Sequence, residues 1–189
     1  KGLDIKLKGA PLEIIGKATQ SELIGFVPEH FAGIIPKPVA KPGDKLKVGS
    51  VLFVDKNCPE LRIVSPVSGE LVAINRGERR KILDIVIKND FKMEQEIFPT
   101  IDWKNASDKE VKQMLLSLGL FAFIKQRPYD IVANPNDQPK AIFISTFDTA
   151  PLAPDYTFIL KDQVADFQAG ITALSTLAPV SVGIKAGNG

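Results

Sequence analysis

Lys41-Pro-Gly-Asp-Lys-Leu-Lys-Val-Gly-Ser-Val-Leu-Phe-Val-Asp55, followed by Ile63-Val-Ser-Pro-Val-Ser-Gly-Glu-Leu-Val72, decides the fold. Two Gly-bearing turns sit beside short alternating or β-branched apolar runs, the pattern of a small, tightly wound β-module. Pro42 and Gly43 form a turn, Asp44 is placed to hydrogen-bond its backbone, and Gly49 punctuates the return. Leu46, Val48, Val51 and Phe53 are then the apolar set that must face inward. Pro66 and Gly69 repeat the device before Leu71 and Ile74.

That order of Gly-Asp, Gly, Leu, Pro, Gly and Val resembles the biotinyl/lipoyl-attachment fold. The resemblance implies a β barrel-sandwich and a modified lysine at a hairpin tip midway between the turns. Here the midpoint reads Asp55-Lys56-Asn57-Cys58-Pro59-Glu60, and the place for that lysine falls near Pro59. Lys56 lies early, so the expectation is a carrier fold with no well-placed arm and no covalently bound group. An active biotinyl/lipoyl-type carrier domain is the alternative.

Composition narrows the function classes. The 189 residues suit one large or two small domains, and 44% hydrophobic with 24% charged residues allow a packed core. No apolar run approaches the roughly 18 residues a membrane helix needs, and no signal-peptide pattern opens the chain. A net charge of +2 argues against nucleic acid as a partner. Arg76-Gly-Glu-Arg-Arg-Lys81 is a short basic cluster interrupted by Glu78 and reads as a solvated turn, with a docking patch for an acidic partner as the other reading. The only cysteine, Cys58, and the only histidine, His30, are far apart in sequence. They supply neither a metal cluster nor a disulfide, and no nucleophile motif surrounds them, so no catalytic or metal-binding residue is expected. Neither residue has an assigned role, and neither has Lys56.

Three segments follow. Residues 1–88 read as a β-rich domain holding the degenerate module at about 36–76. Its opening Lys1-Gly-Leu-Asp-Ile-Lys-Leu-Lys-Gly9 alternates as a half-buried strand, and Lys81 to Lys88 closes it. Residues 89–139 read as a helical connector. Ser107 and Glu110 form a capping box, Val111, Met114, Leu115 and Leu118 make one apolar stripe, and Gly119 ends the helix. A second short helix or buried turn is expected over Phe121–Ile124, before Pro128.

Residues 140–189 read as the start of a Rossmann-like α/β domain, truncated. Ala141-Ile-Phe-Ile-Ser145 is a strand expected to be covered on both faces. Val164, Phe167, Ile171 and Leu174 mark a crossover helix, and Val180-Ser-Val-Gly-Ile184 a parallel second strand. The fold class is therefore α+β passing into α/β. The loop Thr146–Asp155 has no glycine, two prolines and two aspartates, so it lacks the backbone that cradles a pyrophosphate.

Three blocks together resemble the N-terminal part of the A-subunit family of Na⁺-translocating NADH:quinone reductases. They are Lys1–Pro11, Val39–Glu78, and Ala141-Ile-Phe-Ile-Ser-Thr-Phe-Asp-Thr-Ala-Pro-Leu-Ala-Pro-Asp155; Gly119-Leu-Phe121 and Arg127-Pro-Tyr129 add a shorter match. The resemblance implies a peripheral subunit on the cytoplasmic side of the bacterial inner membrane. The whole enzyme would couple NADH oxidation and ubiquinone or menaquinone reduction to Na⁺ export, with flavin, iron–sulfur and NADH sites on other subunits. Partners are those subunits and quinone. The related RnfC electron-transport subunit is the alternative, and there the region matching Leu118–Lys125 is a glycine-rich flavin loop. Here it reads Leu-Gly-Leu-Phe-Ala-Phe-Ile-Lys, with bulky rings in the path of a flavin phosphate. Phe121 and Phe123 are the candidate quinone contacts, against a reading of both as core.

Overall fold

The computed structural model describes residues 8–9, 12–150 and 152–185. The opening strand expected over Lys1–Gly9 lies almost wholly outside the described residues. Close contacts divide the chain into two units, one of which comprises Thr19–Asp102 and Ala106–Gln138.

That unit begins with β1 (Leu23–Phe26), β2 (Pro36–Pro38), β3 (Lys45–Leu46) and β4 (Val51–Asp55). It continues with β5 (Arg62–Val64), β6 (Gly69–Arg76) and β7 (Ile82–Asn89). A four-stranded sheet runs in the order β1-β7-β6-β3 and a three-stranded sheet in the order β2-β4-β5; every pairing in both is antiparallel. Both send side chains into one core: Leu52, Phe53, Leu71, Ile85 and Ile87 are fully buried, with Leu46, Leu61, Ile63 and Ile82 close behind. The result is the expected barrel-sandwich.

The two turns behave as their residues dictate. Lys41 N donates to Asp44 Oδ2 at 2.8 Å, and Gly43 and Gly49 take φ of 94° and 95°. Of the four residues expected to face inward, Leu46 and Phe53 are buried, whereas Val48 and Val51 are half-buried. Val48 precedes β4 and bridges Gln95, and at Val51 a bulge causes the difference. Val51 pairs with Val64 but Phe53 with Ile63, so one extra residue on β4 lets adjacent Leu52 and Phe53 both face inward. Lys56 lies exposed between β4 and β5, its amide donating to Ile35 O at 2.8 Å.

After β7 the chain crosses back as a strap. Val48 N donates to Glu94 O at 2.7 Å and Glu96 N to Val48 O at 2.9 Å, while Ser68 donates its hydroxyl to Asp90. Then comes α1 (Asp108–Ser117), opened by the expected box: Glu110 N donates to Ser107 Oγ, and Ser107 N to Glu110 Oε2. Gly119 stops it at φ 72°, and a 3-10 turn, Leu120–Phe123, follows. The helix turns Val111 and Leu116 fully inward, leaving Met114, Leu115 and Leu118 half-buried. Leu116, Phe121 and Ala122 join the barrel's buried cluster, as does Val132 of the hairpin β8 (Lys125–Gln126) and β9 (Ile131–Val132). This segment is the barrel's outer wall.

The second unit holds β10 (Ile142–Ser145), α2 (Tyr156–Leu160), α3 (Val164–Ser175) and β11 (Val180–Gly183). β10 and β11 pair in parallel, Ile142 opposite Val180, as the βαβ reading requires. The expectation that β10 is covered on both faces is wrong for the described residues. Phe143 is 79% exposed and burial alternates along the strand, so one face of β10 lies open among the described residues.

Candidate functional site

A cleft of about 400 Å³ opens on the barrel unit. Val48, Gly49, Ile63 and Val64, from the turn before β4 and from β5, form one side of it. Leu118, Gly119, Leu120 and Phe123 form another, with Phe26 and Phe31 completing the apolar lining. Gln95, Glu96 and Phe98 of the strap close the rim. Each wall follows from local sequence. Gly119 lets the chain leave α1 in the left-handed region and pass hard against β5: a Cβ there would lie 2.8 Å from Val64 Cγ2. Gly49 similarly admits Phe98, whose ring would be 2.8 Å from such a Cβ.

Aromatic rings organise the neighbourhood. Phe26 and Phe31 stack with centroids 5.5 Å apart, and Phe31 meets the edges of Phe53 and Phe123 at 6.2 and 6.0 Å. Phe26, Phe31 and Phe123 also line an adjoining hollow of about 340 Å³ that reaches His30 and Lys125. The two sequence candidates therefore part company. Phe121 is 6% exposed and belongs to the core, while Phe123 is 70% exposed with its ring at both hollows. Phe26, Phe31 and Phe98 went unrecognised in the sequence. Phe98 lies far along the chain from Phe26 and Phe31, and only the strap brings it to the same cleft.

The polar inventory is small. Glu96 accepts from Ser50 Oγ at 2.6 Å, and Ser65 donates to Val67 O at 2.6 Å, so both hydroxyls are committed. Gln95 brings an uncharged amide to the rim. The geometry does not suit a phosphate. Leu118 and Gly119 sit at the C-terminal end of α1, where the helix dipole is negative, and donate their amides to Met114 O and Leu116 O. In the loop after β10, both aspartates are engaged locally: Asp148 accepts from Ala150 N and Asp155 caps α2 through Thr157 N, each at 2.8 Å. An aromatic-lined apolar cleft with one uncommitted amide fits a flat, weakly polar ring with an apolar extension.

Among the described residues no group of three or more His, Cys, Asp or Glu is placed to hold a metal ion. Cys58 is a half-buried free thiol beside the barrel core, and His30 lies exposed in a 3-10 turn.

Comparison with known proteins is consistent along the chain. Residues 1–90 match the family model described as the NqrA N-terminal barrel-sandwich hybrid domain, and residues 106–189 that of the NqrA second alpha/beta domain. The chain is similar to the A-subunit of the Na(+)-translocating NADH-quinone reductase from Haemophilus influenzae strain PittGG, 35% identical over 181 residues. That alignment covers 95% of this chain and 40% of the relative. The protein of the same name from Yersinia pestis is 35% identical over 179 residues, 94% of this chain and 40% of the relative. The chain thus spans about 40% of the length of the curated relatives it matches.

Proposed function

The chain belongs to the NqrA family, and from that premise we propose that it works as part of the A-subunit of a Na⁺-translocating NADH:quinone reductase, as a scaffold without catalytic residues of its own whose barrel cleft contacts the quinone. The observation that carries the assignment is the match of two successive NqrA domains, in order, over residues 1–90 and 106–189. The cleft supports the quinone contact. Its size is within the range of small-molecule sites, its lining is apolar and aromatic, and Phe123 offers an exposed ring edge. Gln95 is the donor nearest to hand for a quinone carbonyl. Ubiquinone and menaquinone both fit that description.

Flavin, iron–sulfur and NADH chemistry belong to partner subunits on this reading. The spent amides at Leu118 and Gly119 support it, since a flavin phosphate would meet a helix C-terminus there. Among the described residues no helix is long and apolar enough to cross a membrane. On the same family reading, the protein is a peripheral subunit on the cytoplasmic side of the membrane, held by the other subunits of the reductase.

The test is a pull-down of the tagged full-length protein from its own membranes in mild detergent, assayed for NADH oxidation by quinone. Co-purification of Na⁺-stimulated activity is expected. Recovery of the protein alone, or with Na⁺-insensitive activity, would overturn the assignment.

A further inference from the structure

Away from the cleft, the β6–β7 hairpin ends in Arg76-Gly-Glu-Arg-Arg-Lys81. Lys81 N donates to Glu78 O at 3.1 Å and Gly77 N to Lys81 O at 2.8 Å, closing a two-residue turn. Its central residues, Arg79 and Arg80, both have positive φ, 53° and 62°. That is the type I′ pattern, for which Asn-Gly is the favoured pair, because a larger side chain in the left-handed region crowds its own backbone. Two arginines occupy it instead, both exposed.

Nothing described within the chain compensates them. Lys81 pairs with Glu29 at 2.9 Å, and Asp84 accepts from Asn75 Nδ2 at 2.7 Å. Arg76 braces the turn by donating to Arg80 O at 3.0 Å. Among the described residues, Arg76, Arg79 and Arg80 have no carboxylate partner, and Glu78 is the only carboxylate in the turn. Beside them Leu83 is 47% exposed. Residues 76–83 line neither of the two hollows.

We infer that the β6–β7 tip docks on an anionic phospholipid surface. A small anion is better enclosed by a concave site, and a protein interface needs an apolar or aromatic centre larger than Leu83. A lipid surface needs only clustered cations on a projecting element with a short aliphatic flank. Each cation near such a surface strengthens association about fivefold, so three guanidiniums against Glu78 give about 25-fold. That is enough to orient a protein held elsewhere, not to anchor it alone. The inference does not depend on the quinone reading.

The test uses the 189-residue chain and unilamellar vesicles of phosphatidylcholine, with or without an equal part of phosphatidylglycerol, at low salt. Co-sedimentation with the anionic vesicles is expected to exceed that with phosphatidylcholine alone by about 25-fold and to vanish in 0.5 M NaCl. The double variant Arg79→Asn/Arg80→Gly carries the favoured turn pair, so it is expected to melt higher while losing the preference for anionic vesicles. Equal binding by variant and parent, or no binding of the parent to anionic vesicles, would overturn the inference. Retention on immobilised polyglutamate without vesicle binding would also overturn it and give the tip to an acidic protein instead.

Discussion

Single residues decide where this chain tolerates no change. Gly69 opens β6 at φ 151°, and a Cβ added there would stand 1.9 Å from Lys88 O, a backbone atom that cannot swing aside. Gly69→Ala is therefore expected to cost about 3 kcal/mol or more, read as a fall in the urea midpoint with the slope unchanged. Gly119→Ala meets the methyls of Val64, which can give a little, so about 1–3 kcal/mol is expected. The carboxylates add a pH dependence. The Ser68 hydroxyl, then the Lys92 amide, holds Asp90 below its usual range, and hydrogen bonds from Ser107 do the same for Glu110. Lys45 and Lys81 lower Glu70 and Glu29. A lowered native pKa means stability that is present above the unfolded value and lost as pH falls through the native one. The urea midpoint is thus expected to hold from neutral pH into the mildly acidic range and to drop through the carboxylate range. Ser68→Ala should make that drop shallower; an unchanged slope would count against the Ser68–Asp90 bond.

At the scale of elements, α1 is the piece whose position matters most to the cleft, because its C-terminal end supplies Leu118 and Gly119. Ser107→Ala removes the cap and is expected to cost about 1 kcal/mol in chemical denaturation, with Ser107→Asp close to neutral. This helix was legible in the sequence because capping, spacing and stop are local. So were the turns at Gly43 and Gly49, the strand β7 and the parallel β10–α3–β11 order. The paired burial of Leu52 and Phe53 was not, since a bulge depends on the partner strand's register. Nor was the swing of Leu116 inward, which the barrel wall imposes on an otherwise ordinary stripe. The cleft itself was half legible. Of the two rings the sequence offers, Phe123 lines the cleft and Phe121 lies in the core, and the strap that brings Gln95 and Phe98 to the rim meets the barrel through a single β-bridge, Val48 to Gln95, with no periodic pattern to announce it.

At the scale of the whole molecule, burial is concentrated in one unit. Nearly all the buried apolar side chains belong to the barrel and its α1 wall, whereas Ala178 is the one such residue among the described part of the second unit. The family model's second domain begins at residue 106, yet residues 106–138 pack with the barrel through Leu116, Phe121, Ala122 and Val132. Amide hydrogen exchange should therefore show α1 protected together with β4, β6 and β7, and β10, α3 and β11 exchanging much faster. Protection of α1 at the level of α3 would contradict that grouping. Quinone contact at the barrel cleft is open to a ¹H–¹⁵N NMR titration of the chain with ubiquinone-1. Saturable shifts are predicted at the amides of Val48, Gly49, Gln95 and Leu118–Phe123, abolished in Leu120→Asp. Shifts confined to other residues, or none at all, would contradict it.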